Sequence, residues 1–328
     1  MSLFKSRSVS ARGSHAFGVV AIMAFIVVIS LLLTFPFRFR DGRDDDFQIT
    51  ATFYPMYVAA LNVAGDVPGV SIGNLTPAHT GCLHDVQLSA NELILLQNTD
   101  LLVMNGAGAE EFLEHAVGQK RMPNFVDTSV GLPLISSDDD HDNHDHSHDS
   151  HDEHSTHDHD HDHTFNEHIW MSPTLYARQV ENLRDALAEA NPENAEYYRT
   201  NAAEYLEKIE KISEDFENVL PRDCITFHGS LAYFAQELGF NVVYELSIGE
   251  ESSVSAAELA AAQEASSAIK GYVLLIYDAQ YPILYQAAGG SRSEAVIINT
   301  AVSPLNNVHD HDAWLEAMRH NLALLKQL

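Results

Sequence analysis

The sequence predicts an α/β protein of two (βα)4-type lobes, each on a parallel sheet, joined by one long connecting helix. Three observations predict it. Short apolar runs alternate with helix-length segments at the spacing of βαβ crossovers, which parallel strands require. The alternation breaks once, at a polar tract over residues 138–163, and then resumes. Between the two series lies a segment, 193–220, whose residues Tyr198, Tyr205, Ile209, Ile212, Phe216 and Val219 fall three, four or seven apart and form one apolar stripe. At ~1.5 Å per residue it would be about 40 Å long, enough to run along two lobes.

The elements follow in order. "FQITATF" (47–53) reads as a strand and "YPMYVAALNVAG" (54–65) as a helix closed by Gly65. "GVSIGNL" (69–75) is a second strand, and "SANELILLQNTD" (89–100) a helix whose Ser89 and Glu92 have the spacing of a capping box. A strand at 101–106, a helix at 108–119 and a strand at 124–129 complete the first series. After the polar tract, "SPTLYARQVENLRDALAEANP" (172–192) starts with Ser172 at the N-cap and Pro173 at the first helical position, and stops before Pro192. Beyond Pro221, strands are expected at 223–228, 241–246, 271–278 and 294–299, and helices at 229–239, 253–269, 282–290 and 311–328. The expected division is thus a terminal segment and acidic hinge (1–46), a first lobe (47–192), the connecting helix (193–220) and a second lobe (221–328). Ligands of such folds sit beyond the C-terminal ends of the strands, in the cleft that the loops face.

The terminal segment contains "FGVVAIMAFIVVISLLLTFPF" (17–37), which has no charge and is long enough to cross a bilayer. Lys5, Arg7 and Arg12 precede it, and Arg38, Arg40 and Arg43 follow. Neither an A-x-A-like cleavage site nor a cysteine for lipid attachment closes the run. It reads as an uncleaved membrane anchor with the rest of the chain outside the cytoplasm. A cleaved signal peptide, leaving a periplasmic protein, is the alternative.

Over 328 residues, 45% hydrophobic and 9% aromatic content place the chain among globular proteins. The formal net charge is −29; without the −11 of the tract it is still −18. Such a field repels nucleic-acid phosphates and attracts cations, which argues against a nucleic-acid partner. Cys82 and Cys224 are too few for a disulfide framework and lack CxxC spacing. They read as two separate small buried thiols, although an oxidising compartment would allow them to pair.

The tract reads "DDDHDNHDHSHDSHDEHSTHDHDHDH". It holds ten histidines (His141, His144, His146, His148, His151, His154, His157, His159, His161 and His163) and eleven carboxylates, with no Lys, Arg or apolar residue. Nothing in it can offset the entropy of ordering, so a disordered loop is expected. Neutral imidazoles interleaved with carboxylates supply accessory weak sites for divalent metals, whereas a solvated acidic run would need no histidine.

Three further histidines fall in strand-to-helix loops, where α/β folds place their chemistry. His84 lies in "TPAHTGCLHDVQL", His168 in "NEHIWMSP" just before a helix N-cap, and His228 in "CITFHGS" at the end of the second lobe's first strand. One such histidine is usually structural. Three on convergent loops, in a chain with a metal-attracting tract, point to a shared ion. His79, His115 and His320 read as surface or capping residues, with His79 a minor candidate, and Trp170 and Trp314 as packing residues.

These segments resemble the extracytoplasmic zinc-binding proteins of ABC uptake transporters (the solute-binding family of cluster A-I). "TPAHTGCLHDVQLSANEL", "EHIWMSPTLYARQVENLRDAL" and "ITFHGSLAYFAQELGF" are similar to that family's three metal-histidine segments, and "NGAGAEEFLE" and the acidic His-rich loop also match. The resemblance covers residues ~47 to 328. It implies that His84, His168 and His228 bind one Zn2+ as the transported ligand. It further implies delivery to a membrane permease and through it to an ATPase, with the chain itself a monomer tethered by residues 17–37. The family often adds a carboxylate from the loop after the last strand, but here that loop reads "INTAVSPLNN". The fourth position then falls to water, Asp278, His309 or Asp310. Three imidazoles suit zinc. Related manganese-binding proteins replace the third histidine by an acid, so His228 is the discriminating residue, and manganese or another divalent metal is the alternative cargo.

Two other readings differ in kind. A three-histidine site with an open position could generate hydroxide as zinc hydrolases do, but no HExxH pair or nucleophile motif accompanies it. Glu167 and Asp85 adjoin two of the histidines, where acids commonly orient the ring. The chain is therefore expected not to be an enzyme. A metal buffer using the tract would instead show many weak sites and no single tight one.

Overall fold

The computed structural model describes residues 46–76, 86–113, 122–136, 165–227, 229–246, 255–269, 273–278, 293–304 and 310–327. The apolar span at 17–37, the histidine tract, His79, His84, His115, His228, His309, Cys82 and the helix expected at 282–290 lie outside them. No helix among the described residues is long and apolar enough to cross a membrane.

Eight strands are described, in two sheets. In the first, β1 (Phe47–Ala51), β2 (Val70–Asn74), β3 (Leu101–Met104) and β4 (Phe125–Asp127) lie in the order β2-β1-β3-β4. In the second, β5 (Asp223–Phe227), β6 (Asn241–Leu246), β7 (Val273–Asp278) and β8 (Ser293–Ile298) repeat that order as β6-β5-β7-β8. Every described pairing within the two sheets is parallel, with Ile49 opposite both Ile72 and Leu101, and Ile225 opposite Leu275. The fold is therefore α/β with parallel sheets, as expected. In each sheet the chain first moves to one side and then crosses to the other. β1 and β3, and likewise β5 and β7, therefore form a switch point at which the chain's direction across the sheet reverses. Open α/β sheets take their ligands beyond the carboxyl ends of the strands at such a point. His228, next in the chain after β5, follows one of these strands.

Two strands end short of their expected boundaries. β1 stops at Ala51 rather than at residue 53, although the Thr52 N–H still donates to Val103 O (3.0 Å) and its carbonyl accepts from the Thr76 N–H (3.2 Å). β3 stops at Met104 because Gly106 adopts φ +85°, which no extended strand allows. Of the helix expected at 108–119, residues 111–113 are helical and 114–119 lie outside the described residues.

The helices that lie wholly within the described residues are α1 (Tyr54–Ala64), α2 (Ala90–Gln97), α3 (Pro173–Ala190), α4 (Ala195–Glu217), α5 (Ala232–Glu237), α6 (Ala256–Ala268) and α7 (Ala313–Leu325). In α2 the predicted capping box is present: the Glu92 carboxylate accepts from the Ser89 N–H. The predicted cap of α3 is present too, since Ser172 Oγ accepts from the Leu175 N–H at 3.1 Å.

The expected stripe on α4 is buried at Tyr198, Tyr205, Ile209, Ile212 and Phe216, with Ala202 filling the gap between the first two, while Val219 lies past the helix end and is only partly buried. The helix is about 35 Å long at ~1.5 Å per residue. It is shorter than the sequence suggests because residues 192–194 form a 3-10 turn and the last turn ends at Glu217. It packs on α1, α3 and α7.

One hydrophobic core includes residues of both sheets. Helix α7 follows β8 in the chain yet packs against α1 and α4. Trp314, fully buried, stacks on Tyr176 at 4.2 Å between ring centres, and its Nε1–H donates to Trp170 O (3.0 Å). Trp170 Nε1–H in turn donates to Thr300 O (2.8 Å). Both tryptophans pack, as predicted, and together they tie the segment after His168 to the second sheet. Glu237 on α5 adds a polar tie: its carboxylate accepts from Ser172 Oγ (2.5 Å) and Thr174 Oγ1 (2.7 Å) at the N-terminus of α3, where a negative charge is favoured.

Candidate metal centre

Just beyond the ends of β1 and β3 lies a buried polar network. Gly106 is required there: with φ +85°, a Cβ would collide with the Asp127 carboxylate and the Ser129 hydroxyl. Glu110 is buried and accepts from Thr52 Oγ1 (2.8 Å), the Asn105 N–H (2.7 Å) and the Gly106 N–H (3.1 Å). These bonds join the ends of β1 and β3. Asn105 Nδ2–H then donates to Glu167 O (2.8 Å), and Gln179 Nε2–H donates to Asn105 Oδ1 (3.0 Å) and Thr128 Oγ1 (3.0 Å). The backbone immediately before His168 is thereby held from below.

Burial pushes the Glu110 carboxyl up to about 7, although its three donors pull it back towards the usual range. A raised carboxyl means that the folded state keeps its proton when the unfolded chain has lost it. Folding stability should then fall as pH rises from the ordinary glutamate range to about 7, and stay level above. The expected loss is about 3 kcal/mol at most. Glu110→Gln should remove this slope, checked by urea titrations between pH 4.5 and 8; a slope equal to wild type would assign it to another group.

His168 sits two residues after Asn166, ahead of the 3-10 turn Ile169–Met171. Its side chain is 14% exposed, and its ring lies 5.2 Å from that of Trp170. Asn166 Oδ1 accepts from the His168 backbone N–H (3.0 Å) and lies 3.1 Å from His168 Nδ1. Asn166 Nδ2–H donates to Gly229 O (2.8 Å). Gly229 directly follows His228, so Asn166 connects the chain around two of the predicted ligands. The Tyr233 hydroxyl donates to Asn166 O and accepts from the Ile135 N–H, each at 2.9 Å. An isolated antiparallel bridge pairs Ser136 with Phe165, so the chain leaves for the tract and returns from it at one point, three residues before His168.

Of the predicted site residues, the structure places His168 and the neighbour of His228 together; His84, His228 and His309 themselves lie outside the described residues. Asp278 closes β7, the neighbour of β5. Asp310 opens a 3-10 turn, and its Oδ1 accepts from the Tyr54 hydroxyl (2.6 Å). Burial and then that bond raise the Tyr54 hydroxyl well above the usual tyrosine range. Among the described residues no three His, Cys, Asp or Glu side chains are grouped to hold a metal. Cys224 is a free, buried thiol pushed up to about 12 by burial, which suits packing and not ligation. His320 is exposed, as predicted. Sequence reading missed Asn105, Glu110, Asn166 and Glu237. The first two stand in "NGAGAE" and the third in "NEH", but a spacing along the chain does not show which amide meets which carbonyl.

Solved structures share this fold. They include a crystal structure of ZnuA (TM-score 0.65, 19% identity, covering 86% of this chain and 99% of that one). FpvC of Pseudomonas aeruginosa with Ni2+ is similar (TM-score 0.66, 19% identity, 86% and 96% covered). So is a Cd-bound periplasmic metal-binding protein from Candidatus Liberibacter asiaticus (TM-score 0.66, 22% identity, 85% and 98% covered). The architecture is thus that of the metal-binding solute-binding proteins. The family model described as zinc-uptake complex component A, periplasmic, matches residues 49–328, and the chain belongs to that family. Among its relatives is the high-affinity zinc uptake system protein ZnuA of Bacillus subtilis, 30% identical over 228 residues, or 67% of each chain. The zinc-binding lipoprotein AdcA of Streptococcus pneumoniae (strain R6) is 26% identical over 300 residues, 87% of this chain and 56% of that one. The chain therefore spans about two thirds of the Bacillus protein and just over half of the streptococcal one.

Proposed function

We propose that this chain is the extracytoplasmic component that captures Zn2+ for an ABC transporter and delivers it to a membrane permease and its ATPase. The family match across residues 49–328 carries this reading. The ligands proposed are His84, His168 and His228, with Asp278, His309, Asp310 or water as the fourth. Residues 47–192 and 221–328 serve as the two lobes, 193–220 as their connector, and 17–37 as the tether of a monomer. Binding alone meets this task, so the reading needs no catalytic step.

The tract acts as an accessory collector. The Ser136–Phe165 bridge supports this role, since it roots the segment close to His168 along the chain. Weak, fast-exchanging imidazole and carboxylate contacts would raise the local zinc concentration there. Deleting residues 138–163 is expected to leave one tight zinc site per chain by calorimetry while removing the weak ones. Loss of the tight site on that deletion would make the chain a buffer instead. Manganese competing equally with zinc in the deleted protein would overturn the choice of cargo.

A further inference from the structure

We infer that Asn166 is a positioning residue that presets the metal site, fixing which nitrogen of His168 carries the lone pair and tying that histidine to the strand end that leads to His228. The metal role rests on the zinc-binding reading; the tautomer does not.

The His168 backbone N–H can only donate, so the end of the Asn166 amide that it meets, at 3.0 Å, is the oxygen. The same oxygen faces His168 Nδ1 at 3.1 Å. An amide oxygen only accepts, so Nδ1 carries the hydrogen, and in the neutral ring Nε2 holds the lone pair a metal needs. The Glu167 carboxylate is 3.9 Å from Nδ1, beyond hydrogen-bond length, and does not compete for that role.

The opposite end of the amide donates to Gly229 O at 2.8 Å. The Asn166 backbone is held as well, since its N–H donates to Ile135 O (2.9 Å) and its C=O accepts from the Tyr233 hydroxyl (2.9 Å). A Cβ on Gly229 would stand 3.1 Å from Asn166 Nδ2, so the glycine leaves just enough room for this bond. One side chain therefore serves two loops that the chain separates by 63 positions. Partners of this kind orient the ring before the ion arrives, so less freedom is lost on binding.

Three variants test the clamp. Asn166→Ala removes both bonds. Asn166→Asp keeps an acceptor for Nδ1–H but turns an oxygen towards the Gly229 carbonyl. Gly229→Ala crowds the amide and leaves its oxygen in place. In the metal-free protein, 15N shifts of His168 should report the Nδ1–H tautomer in wild type, Asn166→Asp and Gly229→Ala, and a mixture in Asn166→Ala. Zinc affinity, from chelator competition, should drop about ten- to a hundredfold in Asn166→Ala and less in the other two. A retained tautomer in Asn166→Ala, or an unchanged zinc affinity there when His168→Ala loses binding, overturns the clamp. If His168→Ala itself binds zinc as wild type does, the zinc-site reading of His168 fails, and the metal role of Asn166 with it.

Discussion

Alanine at position 168 is expected to weaken tight zinc binding about a hundredfold while leaving the fold intact. Zinc sites built on four ligands bind with about 10–16 kcal/mol in all, or roughly 3 kcal/mol for each ligand. A loss of that size is about two powers of ten in affinity. The fold should survive because His168 borders the core without filling it. The residues that follow, Ile169, Trp170 and Met171, are the buried ones. Substitutions at such margins change stability by about 1 kcal/mol or less. The measurement is zinc competition against a chromophoric chelator, paired with a urea titration of the metal-free protein. Wild-type affinity in this variant would move the tight site away from His168.

Trp314→Ala is expected to give the largest loss of stability, about 3–5 kcal/mol, because it empties a fully buried site of a large ring. Two further effects add to the void. The stack on Tyr176 is lost, and the Trp170 carbonyl loses the N–H that satisfies it. Trp314 lies on the last helix, whereas Tyr176 and Trp170 belong to the segment after His168. The substitution therefore cuts a tie between parts of the chain that are remote in sequence, and zinc affinity should fall as well. Trp314→Phe keeps a ring to stack but has no N–H, and should cost about 1–3 kcal/mol. Urea midpoints of the two variants in the absence of zinc check both values. A loss under about 1 kcal/mol for alanine would mean that α7 contributes little to the shared core.

The elements were legible because each rests on local chemistry. Ser172 and Pro173 start α3 wherever the rest of the chain goes, and the stripe of α4 is set by its own spacing. Strand ends were less legible. The Asn105 N–H leaves the ladder for the Glu110 carboxylate, which also accepts from the hydroxyl of Thr52, 58 positions away. The candidate ligands could be picked out as histidines in strand-to-helix loops, but their support could not. Nothing local marks Asn166 as the partner of Gly229, or Glu237 as an anion placed at the start of α3.

By itself the amino-acid sequence determined the alternation of strand and helix, the acidic histidine tract and the histidines worth testing, since periodicity, caps and ligand chemistry are properties of neighbours in the chain. Only the tertiary structure decided that both sheets share one strand order, that a single core joins them through Trp314, and that one amide spans from His168 to Gly229. Those features are hydrogen bonds and contacts between residues far apart in the chain, and they exist only once the intervening segments have folded to bring the partners within reach.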